Sequence, residues 1–196
     1  LEGGPEHRAA LERSHALGNE LSKRRPVLTF ILLGLLGAVF AVQVALGGFD
    51  ADIFTRSQVA LRLGANARAL LEAQPWRILT AALLHGSFLH LYMNGIALLA
   101  LGTVLERLMG PARTLAVFLW SAAVGGVLSG LAHEAGYAVG ASGGIFGLLG
   151  ALAAVHLAAR ERIPAGFRQP LQWWLLILGI NLLLPVVVPI IDAWGH

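Results

Sequence analysis

Five long stretches of this chain carry no charged residue, and their lengths constrain the fold more than any other feature. The stretches are residues 26–49, 78–105, 114–132, 135–159 and 169–191, with 24, 28, 19, 25 and 23 residues. A helix that crosses a bilayer needs roughly 20 mainly apolar residues. Apolar segments in lipid must satisfy their backbone hydrogen bonds internally, which favours helices. The sequence therefore predicts an all-α polytopic membrane protein.

The composition supports this class and excludes others. Hydrophobic residues make up 57% of the chain and charged residues 13%, with a mean hydropathy of +0.72. Soluble domains carry about a quarter charged residues, and disordered chains combine low hydrophobicity with high charge. Cysteine is absent, which excludes disulfides and thiolate metal sites.

The basic residues indicate topology and not nucleic-acid binding. A net charge of +3 and a pI near 10.2 would fit a nucleic-acid partner in a soluble protein. Here the basic residues lie between the apolar stretches, where membrane proteins place them. With the amino terminus in the cytoplasm, ten Lys and Arg fall on the inner side and four on the outer side. We expect residues 1–25 to be a cytoplasmic tail and 26–196 the membrane domain.

Two segments outside the apolar stretches also carry predictions. A short helix is possible over residues 7–23 of the tail. The long outer segment 48–76 has a helical-looking stretch from Ala65 to Glu72 and ends beside Trp76 and Arg77. Loops of this length are usually functional or packed.

Polar residues inside the second apolar stretch are the first functional clue. His90 and Asn94 are four residues apart and therefore share a helix face. His85 would lie nearly opposite Asn94, so we place it at the helix mouth or against the outer loop. Such residues either form interhelical hydrogen bonds or supply donors to a wet cavity.

The fourth apolar stretch places a serine at a predicted helix start. Ser142 follows a glycine-bearing loop, and the backbone N–H groups there lack intrahelical partners. Such a terminus can stabilise an oxyanion, which suits a nucleophile. Gly143, Gly147 and Ala151 form a small-residue stripe that lets a neighbouring helix approach. Packing alone is therefore the alternative interpretation.

A serine nucleophile needs a general base, usually a histidine. His156 lies fourteen residues beyond Ser142, about 21 Å along one helix, and is too distant. The tail histidines lie on the opposite side of the membrane. The remaining candidates are His85, His90, His133 and His196. His133 is exposed in a turn, and geometry does not separate His90 from His196.

The polar residues form an ordered set of short motifs on the apolar segments. The motifs are Trp76-Arg77, His85, His90-x-x-x-Asn94, Gly102-x-x-x-Glu106, Gly140-x-Ser142-Gly143 and Asp192-x-Trp194-x-His196. Each motif alone is weak, but their order and spacing over residues 27 to 196 make a strong joint signal. In this respect the chain resembles the rhomboid family of intramembrane serine proteases.

The resemblance implies roles for the site residues. Ser142 would be the nucleophile and His196 its general base. His90 and Asn94 would form the oxyanion hole with the Ser142 backbone N–H. The supporting residues would be Phe146, which would pack on the His196 ring, together with His85, Gly140 and Gly143.

The resemblance also implies structural roles. Trp76 and Arg77 would anchor the outer loop at the membrane interface, while Glu106 and Arg107 would hold the inner end of the second span. The stripe of Gly143 and Gly147 would let the fourth helix approach the sixth.

Rhomboid proteases of this type have six transmembrane helices, and His196 would lie near the start of the sixth. This chain would then hold five helices and the beginning of the sixth. Asp192 could be a third catalytic residue, but an N-cap of the sixth helix is favoured, because the resemblance implies a Ser–His dyad. A base on the last residue would be poorly held. We therefore expect a chain that ends at His196 to be catalytically incomplete.

The implied function is that of a serine endopeptidase cleaving peptide bonds in or next to substrate transmembrane helices. Its partners would be the lipid bilayer and membrane proteins with a destabilised helix, and no cofactor, metal or nucleic acid is expected. One Lys against thirteen Arg hints at a GC-rich bacterial genome, and hence at the plasma membrane. The alternatives are an inactive rhomboid-like protein that binds helices and, less favoured, a transporter with a polar pathway.

Overall fold

The computed structural model describes residues 4–48, 53–132, 136–159, 162–169, 172–173 and 177. This part of the chain is almost entirely helical, with one isolated β-bridge between Asn66 and Ala138. The helices are α1 (Pro5–Lys23), α2 (Val27–Gly47), α3 (Ile53–Leu63), α4 (Arg68–Leu71), α5 (Arg77–Thr80), α6 (Phe88–Met109), α7 (Pro111–Ala132) and α8 (Ser142–Ala159). Short 3-10 turns cover Ala81–Leu83 and Ala165–Phe167.

The long helices confirm a polytopic helical membrane protein. Within the described residues, the helical stretches long and apolar enough to cross a membrane are Leu11–Gly47, Phe88–Met109, Pro111–Ala132 and Ser142–Ala159. They correspond to the first four charge-free stretches. Nearly all of the fifth, 169–191, lies outside the described residues.

Local sequence signals explain where α6 begins and ends. Ser87 is its N-cap, and the Ser87 side chain accepts a 3.1 Å hydrogen bond from the His90 backbone N–H. Gly110 follows the last turn with a φ of 85°, a conformation that glycine adopts without strain. Pro111 then starts α7, because a missing N–H costs nothing in a first turn. The two helices therefore form a tight hairpin.

The main apolar core lies between α2, α6, α7 and α8. Its buried residues are Leu32, Leu36, Leu98, Leu101, Leu105, Phe118, Ala141, Ile145, Leu148 and Leu152. Glycine lets α8 approach α7 closely: a Cβ on Gly144 would lie 2.6 Å from Phe118 Cε2, and one on Gly147 would overlap Ser121. Gly147 thus faces α7. The sixth helix lies outside the described residues, so its predicted approach to Gly143 and Gly147 stays a prediction.

The helix predicted over residues 7–23 is confirmed as α1. Its last turn buries Leu21 against Ile163 and Phe167, which belong to the segment that follows α8. A Cβ on Gly18 would lie 3.2 Å from Pro164, so α1 packs closely on the same segment. The tail helix is therefore tied to the end of the bundle opposite Ser142.

Glu106 joins the carboxyl-terminal end of α6 to the start of α2. Its carboxylate accepts hydrogen bonds of 2.8 Å from the Leu28 N–H, the Thr29 N–H and the Thr29 hydroxyl. These N–H groups lie in the first turn of α2, where intrahelical acceptors are lacking. Arg107 and Arg24 each donate to the other's backbone carbonyl, at 3.2 and 3.1 Å. The predicted structural role of Glu106 and Arg107 is confirmed.

Replacing Glu106 with Gln is expected to lower the free energy of unfolding by about 2 kcal/mol. The NH2 group of the new glutamine would face an N–H donor of α2, and the N–H groups of Leu28 and Thr29 would lose a charged acceptor. A titration with a denaturing detergent, followed by circular dichroism, measures the loss. Thr29→Val removes only the hydroxyl bond and should cost less. Equal stability of Glu106→Gln and wild type would contradict this assignment.

The long outer segment folds differently from its predicted pattern. The helix expected from Ala65 to Glu72 shrinks to the single turn α4, whereas an eleven-residue helix, α3, precedes it. Gly64, with a φ of 107°, follows the end of α3. Asn66 then exchanges backbone hydrogen bonds of 3.0 and 2.8 Å with Ala138 and is held out of helical geometry. A pairing with a residue distant in sequence overrides the local helical tendency.

Trp76 and Arg77, both predicted to anchor the outer loop at the membrane interface, lie in different environments. Trp76 is 57% exposed, as an interfacial side chain would be, but Arg77 is buried. The Arg77 guanidinium donates to the Gln74 side chain and to the carbonyls of Leu61 and Ala65, at 2.7, 2.8 and 3.0 Å. Arg77 therefore holds the loop together internally and is not an interface anchor, because every one of these acceptors belongs to the loop.

Candidate active site

Ser142 lies at the first position of α8, where the preceding loop turns sharply. Gly140 has a φ of +132°, which L side chains rarely adopt. Its N–H donates a 2.9 Å hydrogen bond to the Ala81 carbonyl, which fixes the loop to the 3-10 turn before α6. The turn leaves Ser142 half-buried at a helix N-terminus, as the sequence predicted.

His90 meets this turn directly. A Cβ built on Gly140 would lie 2.8 Å from both Cε1 and Nε2 of His90, and 3.7 Å from the Ser142 hydroxyl oxygen. The His90 ring and Ser142 Oγ thus both lie beside the Gly140 α-carbon. The structure brings together two residues that the sequence could only place on separate helices.

Asn94 lies one turn after His90 and is buried, with 6% of its surface exposed. Its Nδ2 donates a 2.9 Å hydrogen bond to the His90 backbone carbonyl. A primary amide has two N–H donors, and this bond uses one. The bond holds the Asn94 side chain on the His90 face of α6, as their spacing predicted.

His85 lies before α6 begins, against the ring of His90. It is 1% exposed, and the two ring centroids are 5.0 Å apart at an interplanar angle of 68°. Neither His85 ring nitrogen has a hydrogen-bond partner among the described residues. Burial, and to a smaller extent the neighbouring His90, lowers the pKa of His85 to about 4. The Leu83 backbone acts in the opposite direction and raises this pKa, although it forms no hydrogen bond with the ring. His85 is therefore neutral at physiological pH.

A small cavity of about 40 Å³ lies beside Ser142. Asn66, Ser129, Gly140, Ser142 and Gly143 contribute to its wall. The Asn66 amide donates a 2.7 Å bond to the Gly126 carbonyl, but its buried Oδ1 has no partner in the described part of the chain. A water molecule occupies about 30 Å³ in the liquid, so the cavity has room for one.

Sequence reasoning missed Asn66 and Gln43 as residues that shape the site. Asn66 lies in the long outer loop, so the pattern of polar residues within the apolar stretches does not reveal it. Gln43 lies inside the first apolar stretch and hydrogen-bonds the backbone of His85. An uncharged amide within an apolar span was the available signal for Gln43.

His196, the proposed general base, lies outside the described residues. His133, Asp192 and Trp194 also lie outside them. Phe146 is half-buried one turn after Ser142, on α8. Its contact with the His196 ring and the Ser–His pairing itself remain predictions.

Comparison with known proteins identifies the family of this chain. The family model of the Rhomboid domain matches residues 72–196. Rhomboid protease GluP of Bacillus subtilis (strain 168) is 31% identical over 173 residues, which cover 88% of this chain and 32% of that protein. RHOMBOID-like protein 5 of Arabidopsis thaliana is 36% identical over 138 residues, covering 69% of this chain and 44% of the plant protein. This chain thus spans about a third of the length of the Bacillus protein and less than half of the length of the Arabidopsis protein. It belongs to the rhomboid family.

Proposed function

We propose that this protein is an intramembrane serine endopeptidase with a Ser142–His196 dyad. The observation that carries the proposal is the convergence of the Ser142 hydroxyl and the His90 ring beside Gly140. A hydroxyl at a helix N-terminus with a hydrogen-bond donor beside it supplies the nucleophile and the oxyanion stabilisation that acyl transfer uses. The relatives include a protein named as a rhomboid protease, which supports the same class.

The reaction would proceed through an acyl-enzyme. Ser142 Oγ attacks the carbonyl carbon of the scissile bond while His196 accepts the hydroxyl proton. The tetrahedral intermediate collapses, the C–N bond breaks, and His196 returns the proton to the leaving amine. Water then attacks the ester with His196 again as base, releasing the acid and regenerating Ser142.

Three donors would stabilise the negative oxygen of the tetrahedral intermediate. They are the His90 ring, the second N–H of the Asn94 amide and the backbone N–H of Ser142. The Ser142 N–H lies in the first turn of α8 and has no intrahelical acceptor. Because the bundle holds these groups in place before substrate binds, little reorganisation is needed during the reaction.

The hydrolytic step needs water inside an apolar bundle. The cavity beside Ser142, which Asn66 and Ser129 help to line, would hold one water molecule within reach of the acyl-enzyme. A water with a polar partner is retained in such a space, whereas a purely apolar cavity stays dry.

The proposed substrates are membrane proteins whose helices unwind readily near the cleavage site. A helical backbone hides its carbonyls in hydrogen bonds, so residues with low helix propensity, such as Gly, would expose the scissile bond. We place the protein in a bacterial plasma membrane, with its amino terminus in the cytoplasm and Ser142 open to the outer side. The Lys and Arg distribution supports this orientation.

Cleavage of paired substrates in proteoliposomes tests the function. One single-span substrate carries a Gly-rich segment at the outer end of its helix, and its partner carries Leu at the same positions. We expect the full-length protein to cleave the first at least about 10-fold faster, because unwinding the second costs more. Binding of both substrates without cleavage would overturn the protease assignment and favour a helix-binding protein.

A further inference from the structure

We propose that Gln43, a residue of α2, is a positioning residue that holds His90 in place through His85. The inference rests on the proposed function, since it assigns Gln43 to the oxyanion hole of that reaction. Gln43 does not belong to the group of residues around Ser142. It acts indirectly: Gln43 binds the backbone of His85, and the ring of His85 contacts the ring of His90.

The first step is a pair of hydrogen bonds between the Gln43 amide and His85. Gln43 Nε2 donates to the His85 carbonyl at 3.1 Å, and the His85 N–H donates to Gln43 Oε1 at 3.0 Å. One side chain therefore satisfies both backbone groups of a residue 42 positions away. Because a planar amide forms both bonds, it fixes the orientation of the His85 peptide as well as its position.

The second step is the packing of the two imidazole rings. The His85 ring is buried against His90, with ring centroids 5.0 Å apart in an edge-to-face arrangement. Its nitrogens have no hydrogen-bond partner in the described residues, so packing and the backbone set its position. The backbone position is the one that Gln43 holds.

The third step is that the His90 ring depends on its neighbours for placement. The His90 backbone is already tied, since its N–H donates to the Ser87 hydroxyl and its carbonyl accepts from Asn94. These bonds involve the backbone and do not by themselves fix the side-chain torsions of His90. Two of the residues that lie directly against its ring are Gly140 and His85. Releasing His85 would therefore loosen the ring without unwinding α6.

Gln43→Met in the full-length protein tests the inference, because methionine keeps the unbranched shape and removes the amide. We expect kcat for the Gly-rich substrate to fall about 10-fold, less than for loss of an oxyanion donor, with KM changed less than about 2-fold. A peptide aldehyde of the substrate sequence forms a hemiacetal oxyanion in the same hole. Its affinity should weaken by the same factor as kcat.

Two further variants separate positioning from stability. Thr29→Val also removes a side-chain bond between α2 and α6, but at the end away from Ser142. It should lower the thermal midpoint without changing kcat or aldehyde affinity. In a double-mutant cycle, Gln43→Met should add no further loss of kcat to His85→Ala, because both act through one ring.

Unchanged kcat and aldehyde affinity in Gln43→Met, beside an active wild type, would overturn this inference and leave the proposed function intact. Additive losses in the cycle would also overturn it, since Gln43 would then act by another route. A folded wild type that cleaves no substrate would overturn the proposed function and this inference together.

Discussion

Replacing Ser142 with Ala is expected to abolish cleavage of a transmembrane substrate and labelling by a fluorophosphonate in the full-length protein. Loss of a serine nucleophile lowers kcat by about 10⁴-fold or more, because no other group can form the acyl-enzyme. Fluorophosphonates phosphonylate activated serines, so gel fluorescence in detergent measures the same group directly. The fold should be unaffected, since Ser142 is half-buried and alanine is a good helix former.

Ser121→Ala provides the matched control. Ser121 lies on α7 against Gly147, one helix away from the site, and the smaller alanine side chain fits the same space. Labelling and cleavage should therefore persist. Retention of labelling in Ser142→Ala would show that another serine is activated and would remove Ser142 from the mechanism.

Replacing Gly140 with Ala is expected to reduce kcat by about 100-fold or more. The new methyl group would lie 2.8 Å from two atoms of the His90 ring, closer than real Cβ contacts allow. Either the ring or the loop that carries Ser142 must then move, and displacements of about 1 Å in a catalytic site cost about this factor. Hydrolysis of the Gly-rich substrate measures the loss.

Gly136→Ala separates the steric effect from backbone strain. Gly136 has a φ of +96° in the same loop, but a Cβ there meets no atom within 4 Å among the described residues. Both variants should lose about 1–2 kcal/mol of stability from the unfavourable backbone conformation. Only Gly140→Ala should lose activity. Equal losses of kcat would show that loop strain, and not the contact with His90, controls the site.

The helices could largely be predicted from local patterns. Charge-free stretches placed α2, α6, α7 and α8, because lipid penalises charge and unpaired backbone groups wherever they occur along a chain. The start of α6 differed by ten residues from the start of its apolar stretch, since apolarity does not distinguish a helix from the buried loop before it. Ser87 and the Gly110-Pro111 pair mark the true ends through capping.

The positions of the site residues on their helices could also be predicted from the sequence. Four residues separate His90 from Asn94, which places them on one face in any α-helix. The glycine-bearing approach to Ser142 predicted a serine at a helix start, where the structure places it. The sequence does not show which residues contact these side chains. The choice between His90 and His196 as general base, for example, depends on how separate helices pack.

The sequence by itself determined the membrane class, the main helices and the residue types of the site, because each depends on neighbours a few positions apart. Only the tertiary structure decided that His90 meets Gly140, that Arg77 is buried, and that Asn66 lines the cavity at Ser142. It also decided that Gln43 binds the backbone of His85. These contacts join residues on different elements, and their energies depend on helix packing, which local periodicity does not encode.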